Sequence, residues 1–203
     1  MAGLNVMRIG LIGPANGSLG DLERALSLCM DDAEVRQIIY LGADDAAGEI
    51  VERWAKQRLG PEQFLARGAE LACSGSPEEI GTLLSEQDAA QRLLAVRRLP
   101  EPPARAIEMM DTWLVLAVHD KAVLEEDDIA NAHVIVYGHA SEAAIKRFGP
   151  RCFFTPGPIT GGKLGMLTLR ADGQLDISLL DLQGKVLANE ALQANAARLV
   201  VTT

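Results

Sequence analysis

Apolar residues run almost unbroken through residues 7–13 (Met-Arg-Ile-Gly-Leu-Ile-Gly), and a Pro-Ala-Asn-Gly turn follows at once. Such a run predicts a strand buried on both faces and ended at Gly13. Ser18 then stands where a helix cap belongs. Leu22, Leu26 and Cys29 share one face of a helix starting near Leu19, with Asp21 and Glu23 in its first turn. A second buried strand is predicted over 37–41, ended by Gly42, and a helix over 46–57 with Ile50, Val51 and Trp54 inward. A β-α-β-α opening of this kind implies parallel strands joined by a right-handed crossover.

The periodicity then blurs. Residues 64–72 fit either a helix or a loop that leads into a short strand at 70–73. Pro77-Glu-Glu starts a helix in the favoured way, with Ile80, Leu83 and Leu84 carrying it towards Leu94, and Pro100, Pro102 and Pro103 break the pattern. Segments 106–110 and 113–118 read as a hairpin joined at Asp111-Thr112, so antiparallel pairing enters the sheet. Further strands are predicted at 134–137, 151–155, 164–170 and 175–180, separated by glycine-rich turns. The carboxyl half is mostly β. No repeat or low-complexity tract is present, and the 203 residues suit one domain spanning 1–203.

Composition narrows the function classes. A formal charge of −9 repels a phosphate backbone, and only 4% of residues are aromatic, so nucleic acid is not an expected partner. Apolar runs fall far short of the roughly 20 residues that span a bilayer, so membrane insertion is not expected either. Residues 1–6 lack the basic cluster and apolar core of a secretory signal, and the expected location is cytoplasmic. Cys29, Cys73 and Cys152 are odd in number and without C-x-x-C pairing, and they read as buried small apolar residues.

Five segments in order then resemble the small calcineurin-like metallophosphoesterases: 10–19 (Gly-Leu-Ile-Gly-Pro-Ala-Asn-Gly-Ser-Leu), 38–43 (Ile-Ile-Tyr-Leu-Gly-Ala), 115–120 (Val-Leu-Ala-Val-His-Asp), 134–141 (Val-Ile-Val-Tyr-Gly-His-Ala-Ser) and 153–161 (Phe-Phe-Thr-Pro-Gly-Pro-Ile-Thr-Gly). They resemble, respectively, the family's D-x-H-G-N loop, its G-D strand, the strand ending in T-H-G, the strand ending in G-H-x-H, and the N-P-G-S loop. The match spans about residues 7–187, and its Tyr-Gly-His and Thr-Pro-Gly segments are the specific ones. The resemblance implies an α/β fold, a four-layer α-β-β-α sandwich of two mixed sheets.

It also implies a depleted site. The D-x-H pair falls on Pro14 and Asn16, the G-D acid on Ala43, the Asn of the G-N-x-D loop near Ser76, the T-H-G histidine on Val118, and the G-H-x-H pair on His139 and Ser141. Only His139 is an unchanged ligand. Two divalent cations held close together require carboxylates, and metal-assisted hydrolysis needs the ion to acidify a bound water. Proline, alanine and valine coordinate nothing, and neutral Asn16 and Ser76 are poor substitutes.

Asp44, Asp45 and His119 stand one or two positions from matched sites. A one-residue slip on a strand turns a side chain to the opposite face, so the two acids read first as helix N-terminal charges. His119 and His139 read first as loop-end histidines bonded to backbone, and His133 as a surface residue at a strand start. The turn at 13–20 lacks the Lys-Ser/Thr ending of a phosphate loop and reads as a tight turn. The acids at 44–45 and 125–128 lack the alternating spacing of a calcium loop.

The expected function is a pseudoenzyme, a phosphoesterase-like scaffold or regulator that needs no cofactor and works by binding a protein partner. The small scaffold subunit of the retromer coat, which shares the fold and works through protein contacts, offers a resemblance for this. The alternatives are a divergent phosphoesterase holding one divalent metal such as Mn²⁺ among Asp44, Asp45, His119 and His139, and a phosphate or nucleotide sensor using the residual cavity. Oligomeric state is open.

Overall fold

The computed structural model describes residues 6–58 and 60–193. Strand β1 (Met7–Ile12) pairs in parallel with β2 (Val35–Tyr40), and β2 pairs in parallel with β3 (Val96–Arg98). On the other side of β1 lies an antiparallel meander of β9 (Lys163–Leu169), β10 (Leu175–Asp181) and β11 (Val186–Leu192), giving the order β11-β10-β9-β1-β2-β3. The second sheet runs β4 (Ala106–Met110), β5 (Trp113–Val118), β6 (Val134–Tyr137), β8 (Arg151–Thr155), β7 (Ala144–Phe148). Its three central strands are parallel and both edges antiparallel. Both sheets are mixed, as expected.

The alternation of side chains along each strand sorts the core into layers. Ile9, Leu11 and Ile39 of the first sheet meet Val115, Ala117, Val134, Val136 and Phe154 of the second in a shared core. Residues of opposite parity, Ile12, Ile38 and Tyr40, face helices α1 (Leu19–Asp31) and α2 (Ala46–Lys56), which contribute Leu22, Leu26, Cys29 and Ile50. On the far side of the second sheet, Leu116 and Ile135 are covered by the short helix α5 (Glu126–Asn131) through Ile129. The α-β-β-α sandwich is therefore unequal, with a single six-residue helix as its fourth layer.

The ambiguous middle resolves as two helices, α3 (Pro61–Ser74) and α4 (Pro77–Arg92). No strand forms at 70–73, because Gly75 and Ser76 break the chain only after α3 has run its full length. The α4 start is a capping box: the Ser76 hydroxyl accepts from Glu79 N–H at 3.3 Å, and the Glu79 carboxylate accepts from Ser76 N–H at 2.8 Å. Gly68 of α3 lies over Leu83, the buried residue of α4. None of the described side chains of α3 is buried, and Leu65 is 69% exposed. That placement corrects the expectation for Cys73: it is exposed on α3, whereas Cys29 and Cys152 lie in the core. Among the described residues no helix is long and apolar enough to cross a membrane.

Candidate functional site

Parallel strands deliver their carboxyl ends to one rim, the usual place for a site in α/β folds. Here β1, β2 and β3 end beside β5 and β6, and the loops that follow surround a cleft of about 830 Å³. Pro14 and Asn16 come from the loop after β1, Leu41, Ala43 and Asp44 from that after β2, and Pro102 from that after β3. His119 and Asp120 follow β5, and His139 and Ser141 follow β6.

Glycines let these loops approach closely. A Cβ on Gly138 would run into the Leu41 carbonyl oxygen, so the loops after β2 and β6 touch through bare backbone. Asn16 adopts a positive φ of 46°, which suits asparagine and turns the chain into α1.

The polar groups of the cleft are largely committed to the protein. Asp44 Oδ1 accepts from the Tyr40 hydroxyl at 2.6 Å and from Ala46 N–H at 3.2 Å. Tyr40 is fully buried, and its hydroxyl also accepts from Ala15 N–H at 2.9 Å. Burial first, and the Asp44 hydrogen bond second, push the Tyr40 phenol well above its ordinary range. One phenol thus joins the loop after β1 to the loop after β2.

His119 is held from both sides. Its Nδ1 lies 3.1 Å from the Leu41 carbonyl oxygen and its Nε2 lies 3.1 Å from that of Pro100. Both neighbours are acceptors, so a neutral ring donates to one of them and neither nitrogen offers an unhindered lone pair. His139 differs. Its Nδ1 is 2.8 Å from Asp120 Oδ2, a carboxylate in place of the backbone partner expected, and its side chain is 78% exposed. Asp120 Oδ1 also accepts from Ala122 N–H at 2.9 Å. That backbone bond, reinforced by His139, holds the Asp120 carboxyl below its usual range.

Of the residues singled out from sequence, the fold gathers Asn16, Asp44, His119, His139 and Ser141 at the cleft and leaves two outside it. Asp45 turns away to pair with Arg98 at 2.7 Å. Ser76 caps α4, and the segment that follows the third parallel strand and reaches the cleft is instead the one carrying Pro102. Val118 is buried in β5, which puts His119 at the rim. Sequence reasoning missed Tyr40 and Asp120. The first looked like one more apolar strand residue, and the second was visible only as the neighbour of His119.

The donor set does not fit a pair of divalent ions. Among the described residues no group of three His, Cys, Asp or Glu side chains is placed to hold a metal. The cleft offers the Asp44 carboxylate, whose Oδ1 is taken by Tyr40, the Asp120 carboxylate shared with His139, and the exposed His139 ring.

No protein-family profile matches the sequence, and no curated protein matches it. Solved structures do match in shape. A conserved uncharacterized protein of Streptococcus pneumoniae, described as a predicted phosphoesterase, superposes with a TM-score of 0.55 at 12% identity, over 92% of this chain and 97% of its own. Vacuolar Protein Sorting 29 of Cryptosporidium parvum superposes with a TM-score of 0.52 at 11% identity, over 93% of this chain and 98% of its own. The fold is therefore that of the calcineurin-like metallophosphoesterases, and identities this low carry the fold alone.

Proposed function

We propose that this chain is a non-catalytic phosphoesterase-fold protein that acts as a scaffold or regulator by binding another protein. The observation that carries the reading is the state of the cleft. Positions that the family resemblance assigns to metal ligands hold Pro14, Asn16 and Ala43, and the nearby Asp44 commits its Oδ1 to Tyr40 and to the start of α2. Metal-assisted hydrolysis requires an ion that acidifies water and polarises the phosphoryl oxygen, and the described residues gather no group of three ligands for one. The matched folds include a vacuolar sorting protein as well as a predicted phosphoesterase, and one fold can host unrelated functions.

The test joins metal analysis of the purified protein with a generic phosphodiester assay in added Mn²⁺. The scaffold reading expects substoichiometric metal and no turnover above the buffer rate. Stoichiometric metal, with turnover abolished by His139→Ala, would establish the one-metal phosphoesterase in its place.

A further inference from the structure

Among the described residues the two sheets end in the edge strands β3, β11, β4 and β7. An open edge pairs with other strands unless charge, brevity or irregularity prevents it. β3 is three residues long and carries Arg97 and Arg98, β7 carries Lys146 and Arg147, and β11 has Asn189 at its centre, bonded to Ser178 at 2.8 Å. β4 has no such guard. Its five residues (Ala-Ile-Glu-Met-Met) include no cation, and Ile107 and Met109 are 60% and 56% exposed.

The hairpin register shows which backbone groups face the open edge. Met110 and Trp113 flank a two-residue turn and form its bonded closing pair, and bonded and unbonded pairs alternate from there along the ladder. Ile107 and Met109, opposite Leu116 and Leu114, therefore turn their N–H and C=O groups away from β5. No other described backbone group bonds to them.

The side chains of these two residues lie on the face that carries Leu116, beside α5. Arg105 and Asp111 continue the row at its two ends. Arg105 gives Nη2 to Asp128 at 2.7 Å and to the Val123 carbonyl at 3.2 Å, and its Nη1 has no partner among the described residues. Asp111 is exposed in the turn. The row Arg-Ile-Met-Asp is complementary to itself when reversed. In antiparallel pairing about a two-fold axis at Glu108, Ile107 falls opposite Met109 of the second copy, and Arg105 opposite Asp111 of the second copy. A shift by one residue would set Ile107 against Glu108, whose side chain is on the other face. The register has one adverse contact, Glu108 against its own copy. Glu108 leans towards the first sheet, where its Oε1 accepts from Gln37 Nε2 at 2.6 Å.

We propose that β4 is a homodimerisation edge, at which two copies of this chain pair antiparallel about a two-fold axis at Glu108 and join their second sheets into one. β4 does not line the cleft, so this inference stands or falls independently of the scaffold reading.

The test is analytical ultracentrifugation of the full chain over a concentration series reaching about 1 mM. A reversible monomer–dimer equilibrium is expected. Ile107→Lys, at an exposed position, should weaken it about tenfold or more while leaving the circular dichroism spectrum unchanged. Glu108→Gln keeps the acceptor for Gln37 and removes the like-charge contact, so it should strengthen the dimer about threefold. Val186→Lys, on the edge strand β11, should change nothing. Cysteine cross-linking in a Cys73→Ser background reads the register. Glu108→Cys should form an intermolecular disulfide on oxidation, since an unbonded opposed pair brings its Cα atoms to about 4.5 Å, whereas Ile107→Cys, two residues out of register with its own copy, should not. A monomer at every concentration, a dimer indifferent to Ile107→Lys or weakened by Glu108→Gln, dissociation by Val186→Lys, or equal cross-linking by the two cysteine variants would overturn the proposal.

Discussion

The Tyr40 hydroxyl donates to Asp44 Oδ1 at 2.6 Å while accepting from the buried Ala15 N–H at 2.9 Å. It does so at the rim of the cleft, where it fixes the relative position of two loops that share no backbone hydrogen bond beyond Leu41 N–H to Ile12 O. Tyr40→Phe keeps the ring and removes the bridge, leaving Ala15 N–H without a partner. The expected loss is about 1–3 kcal/mol, read from urea unfolding. An unchanged midpoint would show that water replaces the phenol.

Gly138→Ala drives a methyl into the Leu41 carbonyl oxygen, which belongs to the backbone and has little room to yield. Destabilisation of about 2 kcal/mol or more is expected, as for other overpacked sites, and thermal melting checks it. A neutral outcome would mean that the loops after β2 and β6 separate freely.

Three buried acids set the alkaline limit of stability. Burial, then the Asp32 charge, pushes the Cys29 thiol up to about 12. Burial, then Glu190, pushes Cys152 up to about 11. The Tyr40 phenol is raised as well. Unfolded thiols ionise near ~8.5 and phenols near ~10, so above those values the unfolded chain releases protons that the folded one retains. Stability from these groups is fully present below about pH 8 and declines as pH rises towards the folded values. Cys29→Ala should shrink the difference between pH 7 and pH 10 by about 2 kcal/mol, measured under reducing conditions. Equal pH dependence in variant and wild type would refute the assignment.

Added Mn²⁺ tests the cleft directly. At about 1 mM, a protein with no preformed site should shift in Tm by less than about 2 °C. A larger, saturable rise that His139→Ala removes would mean that the loops rearrange to gather ligands.

Ser76→Ala removes the cap of α4 and should cost about 1 kcal/mol, seen as faster amide hydrogen exchange over 77–92. Amides at Asn16 and His139 should keep their rates, since Ser76 lies outside the cleft.

Much of the frame was legible because burial leaves a period in the sequence. The run at 7–13 and the apolar face of Leu22, Leu26 and Cys29 became β1 and α1, and the 106–118 hairpin pairs antiparallel as expected. Elements that bury little were invisible. β3 is a three-residue Val-Arg-Arg, β7 carries Lys146 and Arg147 on a sheet edge, β11 is mostly exposed, and α5 is six residues long. The site split in the same way. Asn16, His139 and Ser141 were found by motif order, but Ser76 was taken for a cleft residue because nothing in the string marks a three-residue strand as the third member of the parallel set.

The sequence by itself determined the strands and helices that bury a periodic apolar face, and that carboxylates are missing from the matched positions, since side-chain period and residue chemistry are local properties. Tertiary structure alone decided how the remaining polar groups are used. Tyr40 finds Ala15 across 25 residues, and His119 finds Leu41 across 78. A hydrogen bond depends on distance and angle in space, and two segments far apart in the chain acquire those only when the sheets close on each other.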